Sequence, residues 1–156
     1  MNIEVTPRGT RGTKAPPSGA LGRSIMRIAR FVHRRTGNKL AGAPLLYLTT
    51  VGARSGQPRT CTVMSFPDVP DAADAWLIVA SRGGTADHPA WYYNLAKHPD
   101  RVEIEVQGRK TTAVPQVLTG EERSAAWRRI AREQPRFAGY QEKTDREIPV
   151  VRLTAC

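Results

Sequence analysis

The period of apolar and polar positions changes along this chain, and the changes divide it into elements. Between residues 21 and 36, Leu21, Ile25, Ile28, Ala29 and Val32 recur at helical spacing while Arg23, Arg27, Arg30 and Arg34 follow steps of four, three and four. This predicts an amphipathic basic helix that ends near Gly37. Beyond it the pattern turns strand-like at 44–51, 58–66, 75–81, 101–107, 110–118 and 149–154. In one of these strands Val102, Ile104 and Val106 alternate with Arg101, Glu103, Glu105 and Gln107, as in a strand that buries one face. Residues 67–74, PDVPDAAD, read as the connection between the second and third strands. Two helices interrupt the series. Residues 88–98 have Asp87 placed to cap, Pro89 in the first turn and a stop before Pro99; residues 120–134 follow a Thr119-x-x-Glu122 capping box. Short strands with close connections favour an antiparallel sheet curled into a barrel with peripheral helices, a mainly-β member of the α+β class.

A chain of 156 residues is long enough for one domain with a real core. Residues 1–18 mix Pro, Gly and Thr with basic residues and show no apolar period, so they read as a flexible basic arm; 19–156 is then a single domain that includes the helix of residues 21–36. The net charge of +10 is concentrated at the start, where residues 1–40 hold nine Lys or Arg against Glu4. That balance implies an anionic partner without choosing among nucleic acid, an anionic membrane and a phosphorylated or carboxylate-rich small molecule. Nucleic acid is disfavoured, because the basic arm lacks aromatic stacking platforms. Cys61 and Cys156 give no disulfide framework and fit a reducing compartment. His33, His88 and His98 have no metal-ligand spacing, so no metal is expected. No apolar run is long enough to span a bilayer, and the N-terminus lacks a signal-peptide core. The expected location is the cytoplasm, with the basic helix available for peripheral contact at the anionic inner face of the plasma membrane.

Chemistry concentrates in LLYLTTVGARSGQPRTCTVM, residues 45–64, where an apolar strand enters a turn carrying Gly52, Arg54, Ser55, Gly56, Gln57, Pro58 and Arg59. Guanidinium forks fit phosphate in bidentate fashion, and turn amides outside the ladder can point at the same oxygens. An ordinary hairpin connection with solvated arginines fits the same residues. There is no G-x-x-x-x-G-K-[ST] and no G-x-G-x-x-G opening a helix, so P-loop and Rossmann phosphate sites lose their main support.

Three blocks, LLYLTTVGARSGQPR (45–59), VASRGGTADHPAWYYNLAKHPD (79–100) and GYQEKTDREIPVVRL (139–153), together resemble the deazaflavin (coenzyme F420)-dependent nitroreductase family of actinobacteria. The resemblance implies a split β-barrel like that of the FMN-binding, pyridoxamine-phosphate-oxidase-like proteins, preceded by an N-terminal helix. It also implies F420, a deazaflavin with a phosphate and a polyglutamate tail, as the cofactor. By that resemblance Arg54, Ser55, Gly56, Gln57 and Arg59 grip the phosphate. Thr62, Val63 and Met64 line the ring, and Val79, Ala80, Ser81, Arg82, Gly83 and Gly84 form the next wall. Trp91 and Asn94 contact the cofactor, with His88 on the same side of their helix; Arg82 stands where other members often carry Lys.

The implied activity is hydride transfer from C5 of the reduced deazaflavin to a small-molecule acceptor: an activated alkene, a quinone or a nitroaromatic. The protein's task is to hold C5 against the acceptor, exclude water and offer a hydrogen bond to the atom that gains charge. Tyr140 and Ser81 are the candidates for that catalytic role, and the segment 137–140 is a candidate lid. The tyrosines clustered near the lid of the nitroimidazole-reducing member are not evident, since Gln134, Arg136 and Phe137 occupy that region. An FMN-binding flavoprotein of the same barrel, or a basic membrane- or nucleic-acid-binding module without catalysis, are the alternatives. Monomer and homodimer both stay open. The helix of residues 21–36 is expected to serve substrate access, so that deleting residues 1–36 changes F420 affinity by only a few fold.

Overall fold

The computed structural model describes residues 3–15, 39–40, 43–68 and 74–156. A two-residue β1 (Lys39–Leu40) pairs with β2 (Ala43–Val51), which is followed by β3 (Pro58–Pro67), β4 (Ala75–Val79), β5 (Glu103–Val106), β6 (Arg109–Val117) and β7 (Val150–Ala155). The order β2–β3–β4–β7–β6–β5 closes because β5 returns to β2 through Tyr47↔Glu105 and Leu48↔Ile104. Every pairing in it is antiparallel. Helices α1 (Ala90–Lys97), α2 (Gly120–Glu133) and α3 (Arg136–Lys143) and a 3-10 turn (Arg82–Gly84) complete the described elements. The expected barrel is therefore present, with each strand beginning and ending within two residues of its expected span.

Alternation along the strands sorts the apolar residues into two clusters. Leu46, Leu48, Ile78, Ala80, Ile104, Val151 and Leu153 pack together with Tyr92 and Leu95 of α1. Phe66, Leu77, Val79 and Val150 point the other way, onto Ile130 of α2, Phe137 of α3 and the flanking Leu118 and Ile148. Strands β4 and β7 are thus apolar on both faces, which is why WLIVA and IPVV read as continuous apolar runs. Each fully buried large side chain contributes about 1.5–3 kcal/mol. Glu103 on β5 is exposed, and that strand keeps the one-sided pattern. The β5–β6 hairpin closes through Gln107 (φ 50°) and Gly108 (φ 81°), two left-handed residues in a two-residue loop.

Several local expectations are corrected. Asp87 does not cap α1: Pro89 holds the cap position, and the Asp87 carboxylate pairs with Arg8. Thr119 stands at the N-cap of α2 without a side-chain cap bond. Gly120 follows it at φ 56°, which breaks the dihedral run a capping box needs, and Glu122 pairs instead with Arg152 at 2.7 Å. The candidate lid is part of α3. Phe137 is buried there, edge-on to Phe66 at 5.9 Å, so the segment is anchored in the second cluster. The helix expected at 21–36 lies outside the described residues, as do residues 69–73 of the β3–β4 connection.

Residues 3–15, from the stretch expected to be an arm, lie along the domain as a strap. Ile3 and Val5 pack on the first cluster, and Gly9 N–H donates to Ala86 O at 2.9 Å. Thr13 bridges to Thr85 in parallel register. Thr10 Oγ1 (2.6 Å), Arg11 N–H (2.9 Å) and Thr10 N–H (2.8 Å) all donate to the Asp145 carboxylate and hold its pKa down to about 2.

Candidate active site

Antiparallel order puts the β2–β3 turn, the loop after β4, the start of α1 and the entry to β7 at one rim of the barrel. There the turn is folded on itself. Gly52 N–H donates to Gln57 O (2.8 Å), Gly56 N–H to Gly52 O (2.8 Å) and Gln57 N–H to Ser55 Oγ (3.3 Å), with Gly56 at φ 66°. Most of the amides expected to be open for an anion are therefore occupied; those of Arg54 and Ser55 have no partner among the described residues. Arg54 and Arg59 are both exposed, and neither guanidinium forms an ion pair or hydrogen bond among the described residues.

Asn94 fixes this turn from α1. Its Oδ1 accepts from Ala53 N–H at 2.9 Å, and its Nδ2 donates to Thr50 Oγ1 at 3.1 Å, with the side chain 7% exposed. Its carboxamide holds the turn. Trp91, one turn earlier, is half-buried, packs on the first cluster and meets Tyr92 edge-to-face at 6.2 Å.

The loop after β4 passes through three successive left-handed residues, Arg82 (φ 44°), Gly83 (φ 65°) and Gly84 (φ 81°). Only glycine fits at position 84, because a Cβ there would stand 2.6 Å from Tyr140 O. The loop is organised from beneath by Arg146, a residue for which the sequence suggested no role. Its guanidinium donates to Thr85 O (2.8 Å), Ala80 O (3.1 Å), Ser81 O (2.8 Å) and His88 Nδ1 (3.1 Å). Arginine can only donate, so Nδ1 of His88 is the acceptor and Nε2–H donates to Thr6 O at 2.8 Å. His88, 1% exposed, has both ring nitrogens engaged and is a link between strap and loop. Burial and then the Arg146 charge hold its pKa below the ordinary histidine value, against the opposing Thr6 carbonyl.

The remaining expected site residues divide by strand alternation. Val63 and Ala80 belong to the first cluster, with Ala80 fully buried. Met64 and Val79 belong to the second, beside Phe137 and Tyr140 of α3, and Thr62 shares the Met64 face of β3. Tyr140 is half-buried, edge-on to Phe137 at 5.6 Å, with the Lys143 ammonium 5.7 Å from its ring centre. The hydroxyls of Tyr140 and Ser81 carry no hydrogen bond among the described residues. Arg136 Nη2 lies 3.6 Å from Met64 Sδ, which brings a second cation to this face beside Lys143. A cleft of about 460 Å³ between residues 3–7 and the end of β6 contains none of these residues. No group of three or more His, Cys, Asp or Glu among the described residues could hold a metal ion.

The closed six-stranded barrel with a cationic turn and a left-handed glycine loop at one rim defines a split-barrel protein. HutZ, the haem storage protein of Vibrio cholerae, shares that fold at 16% identity and a TM-score of 0.50, over 84% of this chain and 90% of the other. A solved F420-H2-dependent reductase, FDR-A, is 34% identical with a TM-score of 0.60, over 70% of this chain and 93% of that one. An F420H(2)-dependent quinone reductase of Mycobacterium tuberculosis is 40% identical over 131 residues, 81% of this chain and 85% of the relative. The model of the F420H(2)-dependent quinone reductase family matches residues 21–155, and the chain belongs to that family.

Proposed function

We propose that this chain is an F420H2-dependent oxidoreductase that holds the deazaflavin across the rim formed by residues 52–59 and 80–84. Its acceptor is a quinone, an activated alkene or a nitroaromatic that approaches from the Tyr140 side. The observation that carries the proposal is the pair of exposed, unpartnered guanidiniums, Arg54 and Arg59, on a turn that Asn94 locks in place.

The residues fit a flat, polyanionic cofactor. Arg54, Arg59 and the Arg54 and Ser55 amides offer donors to a phosphate, each charge-assisted bond being worth about 1.5–3 kcal/mol. A Cβ at Gly83 would meet nothing within 4 Å, so the loop faces open space there. Thr62, Met64 and Val79 provide a mixed wall for a ring. When bound, reduced F420 supplies the hydride, from C5. The chain's own groups position the acceptor and screen it from water. Tyr140 and Ser81 can each offer an O–H to the acceptor oxygen that gains charge, and a proton from water completes the two-electron reduction. A phenol is a weak acid at neutral pH, so Tyr140 acts as a hydrogen-bond donor.

Among the described residues no helix is long and apolar enough to cross a membrane. We place the enzyme in the cytoplasm, with peripheral contact at the anionic inner membrane face through the arginine row of residues 23–34. The cofactor assignment is tested by titrating the purified protein with F420 and with FMN and following fluorescence quenching. Tight F420 binding with weak FMN binding is expected; equal affinity, or FMN in the isolated protein, refutes it.

A further inference from the structure

We propose that Arg146 is the positioning residue of the cofactor loop, turning its carbonyls away so that the Ser81, Arg82 and Gly83 amides form an oxygen-binding nest. Arg146 is 3% exposed and has no carboxylate within ion-pair distance among the described residues. Its acceptors are the carbonyls of Ala80, Ser81 and Thr85 and the ring of His88. A guanidinium presents five donors in a planar fork, and this one reaches four acceptors on one loop; an ammonium has neither the reach nor the geometry.

The loop's other carbonyls are taken by the strap. Thr13 N–H donates to Gly84 O (2.9 Å), Thr13 Oγ1 to Gly83 O (3.0 Å) and Gly9 N–H to Ala86 O (2.9 Å). Between 80 and 86 only the Arg82 carbonyl lacks such a bond among the described residues. Ser81 is right-handed (φ −74°, ψ −40°) and Arg82 left-handed (φ 44°). Successive residues of opposite hand point their amides at a common spot, the arrangement that binds an anionic or carbonyl oxygen. The amides of Ser81, Arg82 and Gly83 have no partner among the described residues. Arg146 also adds a positive charge beneath them that Asp87 offsets only from beyond ion-pair distance, in a low-dielectric setting where it acts on an electronegative ligand atom.

This inference rests on the loop being a wall of the F420 site, and the experiment separates the two. The full chain and its Arg146→Lys, Arg146→Met and Arg54→Ala variants are titrated with F420, with near-UV circular dichroism reporting the fold at the titration temperature. Arg146→Lys should bind about 3- to 10-fold more weakly with an unchanged spectrum, because the charge remains and the fork does not. Arg146→Met should bind more than about 10-fold more weakly, because both are lost. Because Arg146 touches no reacting atom, the loss should appear chiefly in KM for F420H2, with a smaller fall in kcat through the released Ser81. If Arg146→Met does not fold, the Lys variant decides. Wild-type affinity in the folded Arg146 variants alongside weakened Arg54→Ala overturns the positioning role and leaves the site in place. Wild-type affinity in all of them overturns the F420 reading of this rim as well.

Discussion

Replacing Asn94 by alanine isolates what holds the cationic turn in place. The change removes the acceptor for Ala53 N–H and the donor to Thr50 Oγ1. Thr50 is buried and water cannot replace its lost donor; Ala53 is half-buried and solvent can reach its amide. Leaving a buried polar group unsatisfied costs about 1–3 kcal/mol, and one protected and one accessible group put the sum near 2 kcal/mol. For a chain of this size that lowers Tm by about 4–8 °C. The loosened turn must then be reordered when Arg54 and Arg59 engage a ligand, so F420 affinity should fall by about 5- to 30-fold, or 1–2 kcal/mol. Asn94→Asp separates the two effects. Its carboxylate still accepts from Ala53 N–H, and Thr50 can turn its hydroxyl to donate, so Tm should fall less than in the alanine variant. Its negative charge lies next to Arg54, so affinity should be at least as weak. Thermal melting and F420 fluorescence titration at 25 °C measure both. A wild-type Kd in Asn94→Ala, with or without a lowered Tm, would show that Asn94 is a packing residue and does not preorganise an anion site.

Arg54→Ala and Arg59→Ala should each raise the F420 Kd by about 10- to 150-fold, the equivalent of one charge-assisted bond of 1.5–3 kcal/mol, and shift Tm by less than about 1 °C because both side chains are exposed; unchanged Kd values would return the turn to an ordinary hairpin connection. A second expectation concerns pH. The His88 ring faces Arg146, Tyr92 and Tyr93; burial and the Arg146 charge disfavour its charged form, while the Thr6 and Pro7 carbonyls and, last, Asp87, paired to Arg8, favour it. Its folded pKa is lowered, so the unfolded chain binds a proton where the folded chain does not; the His88 contribution to stability is full above about pH 6.5 and declines as pH falls from there toward the folded pKa, with a slope of at most about 1.4 kcal/mol per unit. Denaturant melts at pH 7.5, 6.5 and 5.5 should show that slope in the wild type and lose it in His88→Gln; equal slopes would refute the assignment.

The barrel was legible because its strands are short and a turn carries its own punctuation: Gly52 to Pro58 marks a reversal, and the alternation of Val102, Ile104 and Glu103 sets an inward face. What escaped were features that depend on a distant partner. The sequence of α3, with Pro135 before it and Gly139 within it, has weak helix propensity, and packing of Phe137 on Phe66 decides its conformation. Glu122 has the right spacing for a capping box and is drawn off by Arg152, a strand residue with Asp68 on the same guanidinium at 2.6 Å. Arg146 offered one local signal: a charge set directly ahead of the apolar run IPVV, where the chain is about to enter the core.

The strap sharpens what the N-terminal stretch does for the site. Its composition, rich in Pro, Gly and Thr, argued against a periodic element, yet an extended segment needs no period to dock when its amides find a row of carbonyls. Thr13 and Gly9 find that row at Gly83, Gly84 and Ala86, and Asp145 receives Thr10 and Arg11 one residue before Arg146. Strap and guanidinium therefore hold different carbonyls of the same loop, and His88 joins them through Thr6 O. The expectation that loss of residues 1–36 changes F420 affinity by only a few fold thus becomes a statement about Arg146: it holds to the extent that the buried guanidinium keeps the Ser81–Gly83 amides in place once the outer row of bonds is gone.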